Sequence, residues 1–241
     1  MPLRCSALLL LVLLPAARAE TPDEATRRHE QVAGRRQGTC VIAHRGSSEL
    51  AHENTLEALR ATFELGGDGN EFDIRKTKDG VLVVFHDDML DQRLDAYGDV
   101  SEYTWDQLRQ FRFRNPGRFG DQCRIPTVEE VFDLHRRHGG LMYLDVKVTG
   151  IDRAVSDLLT KMDMWDHVIA CNNETGGVIL KDPRYRPLRF KGQLYQDRGE
   201  VFPAAIAAIL KKRGEAVMVD DPRGTAVALG RKLGAVLLPW P

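Results

Sequence analysis

Short apolar segments alternate with helical segments along the chain from residue 40 onward, and this alternation is the feature that most constrains the fold. Alternating or continuous apolar runs bounded by turn residues indicate strands, whereas apolar residues three and four apart indicate helices. Strands are predicted at residues 40–43, 70–75, 81–85, 141–148, 167–170, 188–194, 216–219 and 235–238. Helices are predicted to begin at Asn54, Thr104 and Thr127, and to span residues 152–162, 203–212 and 225–233.

Helices between successive strands imply a mostly parallel sheet, because parallel strands need a long crossover connection. A doubly wound sheet and a closed (β/α)8 TIM-type barrel both fit this order. The barrel is favoured because polar residues lie near strand ends, where barrel enzymes place catalytic groups. These residues are His44, His86, Asp145 and Lys147. We therefore predict one α/β domain at residues 39–241, folded as a (β/α)8 barrel.

Three of the helix starts carry a capping signal. Three residue pairs have the spacing of a capping box: Asn54 with Glu57, Thr104 with Gln107, and Thr127 with Glu130. Each pair predicts that its first residue is the N-cap of a helix.

Residues 1–19 have the pattern of a secretory signal peptide. Arg4 precedes an apolar run at residues 7–14, and small residues lead up to a cleavage site after Ala19. The apolar run is much shorter than the ~20 residues needed to span a bilayer. We expect export to a periplasm or out of the cell, a mature chain without a transmembrane segment, and a flexible N-terminal arm at residues 20–38.

Composition excludes two further classes of protein. The chain has 34 Lys and Arg residues and 35 Asp and Glu residues, so no excess of positive charge indicates nucleic-acid binding. Beyond the predicted signal peptide, the cysteines are Cys40, Cys123 and Cys171, with no C-x-x-C pair. This odd number and spacing do not indicate a disulfide framework or a zinc–thiolate site. We expect buried free thiols.

Carboxylates on two strands indicate a cation site. Glu71 and Asp73 are two residues apart, so their side chains lie on one face of a strand with Cα atoms about 6–7 Å apart. Asp145, on a neighbouring strand, is a third candidate ligand, and Lys147 adds a positive charge on its face. Unpaired carboxylates are costly to bury, and hard cations prefer oxygen ligands. We predict that Glu71, Asp73 and Asp145 bind a divalent cation, Ca²⁺ or Mg²⁺.

Two histidines near strand ends add proton-transfer chemistry. Histidine titrates near neutral pH, so one of His44 and His86 can accept a proton from an attacking hydroxyl while the other protonates a leaving alkoxide. Arg45 offers a bidentate fork for a phosphate, and Lys147 offers a second positive charge. With a cation, these groups predict a small-molecule phosphodiester as the substrate.

Five motifs in this region together resemble the glycerophosphodiester phosphodiesterase family. They are His44-Arg45-Gly46, Glu53-Asn54-Thr55, Glu71-Phe72-Asp73, Thr77-Lys78-Asp79-Gly80 and Val84-Phe85-His86-Asp87. The resemblance implies a (β/α)8 barrel that hydrolyses glycerophosphodiesters to glycerol 3-phosphate and an alcohol. It also implies His44 and His86 as the acid/base pair, Glu71 and Asp73 as metal ligands, and Arg45 as a phosphate contact.

The sequence departs from the family pattern at three points. Asp145 stands where the family usually has Glu, and its side chain is one methylene shorter. Gln92 interrupts the family's Leu-Asp-Arg run after His86 and displaces Arg93 by one position. Only 94 residues follow Lys147, fewer than family members usually have, so the C-terminal half is expected to be shortened or irregular.

Other interpretations fit the same residues. A sphingolipid or lysophospholipid phosphodiesterase would use an internal hydroxyl of its substrate and form a cyclic phosphate. A non-catalytic barrel would bind a metal and a phosphodiester without turnover. A structural alternative pairs Glu71 and Asp73 with Arg75 or Lys76 in salt bridges. The remaining histidines are interpreted as surface or capping groups: His29, His52, His135, His138 and His167.

Overall fold

In the part of the chain that the structure describes, the strands form a five-stranded sheet and a separate two-stranded pair. The computed structural model describes residues 20–37, 40–114, 122–172 and 177–188, with the backbone of residues 193–194 and 218–219. The strands are β1 (Ile42–His44), β2 (Gly69–Lys76), β3 (Leu82–Val84), β4 (Leu141–Val146), β5 (Val168–Cys171), β6 (Gln193–Leu194) and β7 (Met218–Val219). The helices are α1 (Pro22–Gln37), α2 (Leu56–Glu64), α3 (Trp105–Leu108), α4 (Val128–His138), α5 (Asp152–Lys161) and α6 (Gly177–Lys181).

The larger sheet is parallel except for β3. Its order is β1-β2-β4-β5, and β3 pairs antiparallel with β2. β4 pairs along one edge of β2. On the other edge, β1 pairs with residues 69–71 of β2 and β3 pairs with residues 74–76. The short turn between β2 and β3 can only produce an antiparallel pair. The mostly parallel sheet expected from the sequence is confirmed, with this one addition.

The side chains of β2 alternate between two environments. Phe72 and Ile74 are fully buried in a hydrophobic cluster with Phe132 of α4 and Leu159 of α5. The intervening acidic residues point to the opposite face of the sheet, because successive side chains in a strand alternate in direction. The helices therefore cover one face, and the acidic groups line the other.

Two of the three predicted helix starts are confirmed, and the third is wrong. Thr104 and Thr127 are the N-caps of α3 and α4, each in a capping box. The N-cap of α2 is Thr55, whose hydroxyl accepts a backbone N–H, and not Asn54. Asn54 has a φ of 59°, and its side-chain amide donates to Asp73. A tertiary hydrogen bond to a buried carboxylate has taken the place of the local cap.

The expectation of a flexible arm at residues 20–38 is also wrong, because most of this segment forms α1. Arg28 is buried and makes ion pairs of 3.0 Å with both Glu20 and Asp163. Val32 is fully buried in a hydrophobic cluster with residues of β1, β4 and β5. α1 thus contacts the rest of the protein through an ion pair with Asp163 and one fully buried valine, so its sequence has no broad apolar stripe and resembles that of a solvated segment.

Two of the histidines interpreted as surface or capping groups, His135 and His167, are fully buried instead. His135 Nδ1 donates to Val131 O over 2.8 Å, and its Nε2 lies 3.2 Å from the Asn70 amide. His167 Nδ1 donates to Gly140 O over 2.7 Å. Burial lowers the pKa of His135 to about 3 and that of His167 to about 4. Both rings are therefore neutral core groups that satisfy backbone carbonyls.

Several expectations concern residues outside the described part of the chain: the signal peptide at 1–19, the helices at 203–212 and 225–233, and the strand at 235–238. The strands predicted at 188–194 and 216–219 are represented by β6 and β7, which pair in parallel. Among the described helices, none combines the length and apolar character required to cross a bilayer. The three cysteines are free thiols, as expected, and Cys171 is only partly buried.

Candidate active site

The two candidate acid/base histidines converge beside the middle of β2. β1 ends at His44, which pairs with Glu71, while β3 approaches along the same edge from the opposite direction. The chain after β3 remains against β2, because Phe85 N donates to Asp73 O over 3.0 Å. His86 comes next, and its backbone carbonyl accepts a hydrogen bond of 2.7 Å from Arg75 Nη2 of β2. Two strands that end toward each other thus bring residues distant in sequence to one pair of carboxylates.

The three candidate metal ligands form one cluster. Glu71, Asp73 and Asp145 each offer a carboxylate oxygen within 4.8 Å of the others. Asp73 and Asp145 lie directly opposite each other in the register of β2 and β4, and Asp73 has 0% exposure. Asp145 therefore reaches the cluster, although its side chain is one methylene shorter than that of the glutamate usual in the family that the sequence resembles.

The negative charge of this cluster is only partly balanced. Burial, followed by repulsion from Asp73 and Asp145, raises the pKa of Glu71 well above its usual value. Burial also raises the pKa of Asp145. Asp73 differs, because Arg45 and Lys147 outweigh burial and lower its pKa. Three convergent carboxylates, two of which resist ionisation, fit a hard divalent cation that binds oxygen ligands.

Arg45 is held against the cluster by an unusual backbone conformation. Its φ is 54°, and its backbone N–H donates to Glu71 Oε2 over 3.0 Å. Its Nε lies 3.3 Å from Asp73 Oδ2, and its Nη1 lies 3.1 Å from Glu53 Oε1. The next residue, Gly46, has a φ of 83°, and a Cβ there would lie 2.7 Å from the α2 backbone. This close approach explains the glycine in the His-Arg-Gly motif.

Lys147 bridges two of the acids. Its Nζ lies 3.1 Å from Asp73 Oδ1 and 2.5 Å from Asp145 Oδ2. These two carboxylates outweigh the effect of burial and raise the pKa of Lys147. Arg75 does not pair with Glu71 or Asp73, as the structural alternative required. Instead, it donates to His86 O and lies 2.5 Å from Asp88 Oδ1.

His44 is a buried, neutral imidazole. Its side chain is 5% exposed, and its Nε2 lies 3.6 Å from Glu71 Oε2. Burial, followed by the positive charge of Arg45, lowers the pKa of His44 to about 3. In this state one ring nitrogen carries a hydrogen and the other does not.

His86 is more accessible and is paired with an acid. Its Nδ1 lies 2.7 Å from Asp87 Oδ1. Hydrogen bonds from His86 and Arg93 outweigh burial and lower the pKa of Asp87. An ionised carboxylate at this distance accepts the Nδ1 proton, which leaves Nε2 as the nitrogen able to exchange a proton with another molecule.

The seven candidate residues lie in one region, and the structure adds two residues to which the sequence analysis gave no part in the site. Asn54 donates to Asp73 Oδ2 over 2.7 Å. The Asn172 amide donates to Asp145, and its Oδ1 accepts a hydrogen bond of 3.1 Å from Val146 N. Asn172 directly follows β5, and this position at the end of a strand was the feature of the sequence that could have indicated its place in the site.

Comparison with known proteins identifies related sequences. The model of the Glycerophosphoryl diester phosphodiesterase family matches residues 44–178. A glycerophosphodiester phosphodiesterase of Caldanaerobacter subterraneus subsp. tengcongensis is 40% identical over 113 residues, which are 45% of each protein. Glycerophosphodiester phosphodiesterase 1 of Homo sapiens is 36% identical over 140 residues, covering 56% of this chain and 41% of the human protein. The similarity spans less than half the length of these relatives.

Solved structures with the same fold cover more of the chain. A glycerophosphodiester phosphodiesterase of Agrobacterium tumefaciens aligns with a TM-score of 0.61 and 22% identity, over 83% of this chain and 95% of that one. An Oleispira antarctica phosphodiesterase, solved with its product sn-glycerol-3-phosphate, aligns with a TM-score of 0.57 and 22% identity, over 84% and 93%. These similarities confirm the predicted α/β fold class, and the described strands supply its mostly parallel sheet.

Proposed function

The chain belongs to the glycerophosphoryl diester phosphodiesterase family, and on that premise we propose that it is a divalent-metal-dependent hydrolase of glycerophosphodiesters. Its products would be glycerol 3-phosphate and an alcohol. One observation carries the proposal: three carboxylates meet within 4.8 Å, with a neutral imidazole 3.6 Å from one of them and two cationic side chains beside them. This combination matches the requirements of phosphodiester hydrolysis.

Glu71, Asp73 and Asp145 would hold the metal ion, and their all-oxygen donor set favours Ca²⁺ or Mg²⁺. When bound, such an ion acts as a Lewis acid toward non-bridging phosphate oxygens. Arg45 and Lys147 would contact the same anionic group. Both cations already lie against Asp73, so their positions are set before substrate arrives. Pre-positioned charge lowers the reorganisation needed during reaction.

The histidines would divide the proton transfers. His44, whose Nε2 lies 3.6 Å from Glu71 Oε2, would take the proton from the attacking water as the new P–O bond forms. His86, protonated on both nitrogens before the step, would deliver its Nε2 proton to the alcohol oxygen as the old P–O bond breaks and keep the Nδ1 hydrogen. The hydrogen bond to Asp87 holds the other nitrogen and orients the ring for this step.

The test is hydrolysis of glycerophosphocholine, with and without a chelator, by the wild type and by His44→Ala and His86→Ala. We expect each substitution and chelation to abolish turnover, and added Ca²⁺ or Mg²⁺ to restore the chelated wild type. His138→Ala, which alters a histidine stacked on Phe63, is the matched control and should retain activity. Wild-type activity in either catalytic variant would remove the acid/base assignment.

Product analysis separates this function from the other interpretations. Hydrolysis by water yields glycerol 3-phosphate directly. A cyclic phosphate accumulating from a lysophospholipid or sphingolipid would instead indicate attack by an internal hydroxyl. Binding of a phosphodiester without turnover, across metals and pH, would indicate a non-catalytic barrel.

Export is part of the proposal, and it is supported by the apolar pattern of residues 1–19. N-terminal sequencing of the protein purified from its native cells would test it. We expect the mature chain to begin at Glu20. A mature protein that retains Arg4 would contradict cleavage.

A further inference from the structure

Arg93 lies between the carboxylates of Asp87 and Glu53. Its Nε is 2.9 Å from Asp87 Oδ2, and its Nη2 is 3.5 Å from Glu53 Oε1. Each acid has a second partner in the site: Asp87 accepts from His86 Nδ1, and Glu53 pairs with Arg45 Nη1. A continuous series of charge pairs thus joins a candidate acid/base histidine to the candidate phosphate-binding arginine.

Burial makes the two acids sensitive to the loss of a partner. The side chains of Asp87 and Glu53 are 9% and 11% exposed, whereas that of Arg93 is 40% exposed. A buried carboxylate that loses a charged partner must find another one or change its protonation. For Asp87 and Glu53, the remaining partners are His86 and Arg45, which would be drawn away from their present geometry.

Local structure places Arg93 despite the inserted Gln92. Residues Leu90–Gln92 form a 3-10 turn, and Arg93 N donates to Leu90 O over 3.0 Å. Leu90 and Leu94, on either side of the insertion, are fully buried in one hydrophobic cluster. Arg93 O accepts a hydrogen bond of 2.9 Å from Arg114 N. The turn absorbs the extra residue, and the guanidinium still reaches both acids.

We propose that Arg93 is a positioning residue that holds the His86 ring through Asp87 and the Arg45 guanidinium through Glu53. The inference rests on the proposed function for the roles of His86 and Arg45. Arg93 itself acts through the two acids. The planar guanidinium of an arginine suits this bridge, because one rigid group donates from Nε to Asp87 and places Nη2 near Glu53.

The first test uses kinetics on glycerophosphocholine. Arg93→Gln should lower kcat/KM roughly tenfold, a typical effect of losing a partner that orients a functional side chain. Arg93→Lys, which keeps the charge but not the fork, should recover only part of the loss. Arg109→Gln is the control, because Arg109 is a half-exposed arginine that pairs with Asp106 in α3 and should leave activity unchanged.

Double-mutant cycles separate the two branches. If Arg93 acts through Asp87, Arg93→Gln should lower kcat much less in an Asp87→Asn background than in the wild type. If it acts through Glu53, its effect on KM should likewise shrink in a Glu53→Gln background. Additive losses in both cycles would overturn the proposal, as would a full rescue of activity by Arg93→Lys.

A readout without turnover keeps this inference distinct from the proposed function. The His86 Nδ1–H proton can be followed by NMR and assigned by its loss in His86→Ala. We expect its hydrogen-bonded signal to disappear or shift in Arg93→Gln and to persist in Arg109→Gln. A missing wild-type activity with this NMR pattern would overturn the proposed function alone, whereas an unchanged signal in Arg93→Gln would overturn the positioning role.

Discussion

Asp73 of β2 lies directly opposite Asp145 of β4, and the ammonium group of Lys147 is within 3.1 Å of both carboxylates. Like charges on directly opposed residues destabilise a sheet. Lys147 relieves part of that repulsion, yet the pKa of nearby Glu71 is still raised, first by burial and then by these two acids. The register of β2 and β4 therefore brings the carboxyl groups of Asp73, Asp145 and Glu71 together, and a cation bound among them would reduce their mutual repulsion.

Glu71→Gln should separate metal binding from stability. The metal-free variant should be at least as stable as the metal-free wild type, because one buried, repelled carboxylate is gone. The wild type should gain about 2.7 kcal/mol of unfolding free energy at a metal concentration 100 times its Kd. The variant should lose most of that gain. Denaturant unfolding with EDTA, Ca²⁺ or Mg²⁺ measures both quantities, and Glu129→Gln is the surface control.

Asn54 offers a matched pair of substitutions. Asn54→Gly keeps the positive φ of 59° without strain but removes the amide that donates to Asp73. Asn54→Ala removes the same amide and also strains the backbone. We expect similar losses of activity in both variants, because both free Asp73. The alanine variant should be less stable by about 1–2 kcal/mol, the cost of a left-handed conformation. Equal unfolding free energies would contradict the backbone argument.

His135 and His167 should make the protein sensitive to mild acid. Their folded-state pKa values, about 3 and about 4, lie below the value of about 6.5 expected in the unfolded chain. The unfolded state therefore binds more protons in this window, and stability falls as the pH drops below about 6.5. The slope is about 1.4 kcal/mol per pH unit for each proton.

Denaturant unfolding between pH 7.5 and 5 checks this slope. His135→Gln should reduce it by about one proton, in addition to any constant loss of stability. His138→Gln, which alters an exposed histidine in the same helix, is the control and should change the slope less. A slope that is identical in wild type and His135→Gln would show that His135 is not neutral in the folded state.

His29 should stabilise the packing of α1 at low pH and lose this effect as the pH rises, the reverse of the behaviour of His135 and His167. Its Nδ1 lies 2.7 Å from Asp166 and its Nε2 lies 2.8 Å from Asp163, so both nitrogens must donate and the ring must be protonated. Burial and Arg28 oppose this charge, but the hydrogen bonds to the two acids raise the pKa of His29. The stabilisation is complete below the unfolded value of about 6.5 and is lost as the pH rises through the folded value.

Hydrogen exchange of the α1 amides, compared at pH 6 and pH 9 after correction for the intrinsic rate, tests this behaviour. Protection in the wild type should decrease at the higher pH. His29→Gln should have lower protection at pH 6 and little change between the two values. The same loss of protection with pH in wild type and variant would exclude His29 as the cause.

Several features of this protein follow from local sequence. The placement of Glu71 and Asp73 on one face follows from the two-residue period of a strand. The caps at Thr104 and Thr127 follow from a spacing of three residues. The His-Arg-Gly motif likewise marks the end of β1, where the close approach to α2 requires glycine. These features depend on neighbours along the chain, and a pattern in the sequence therefore records them.

Tertiary structure decided the rest, because the interactions involved join residues far apart in the chain. Asn54 could cap a helix or bind Asp73, and the location of β2 determined which occurred. The polar residues Pro22–Gln37 form a helix whose Arg28 pairs with Asp163, a residue distant in sequence. The Arg93 bridge likewise exists only once Glu53 and Asp87 have been brought together. Charge pairs of this kind have no period or fixed spacing, so no local pattern reveals them.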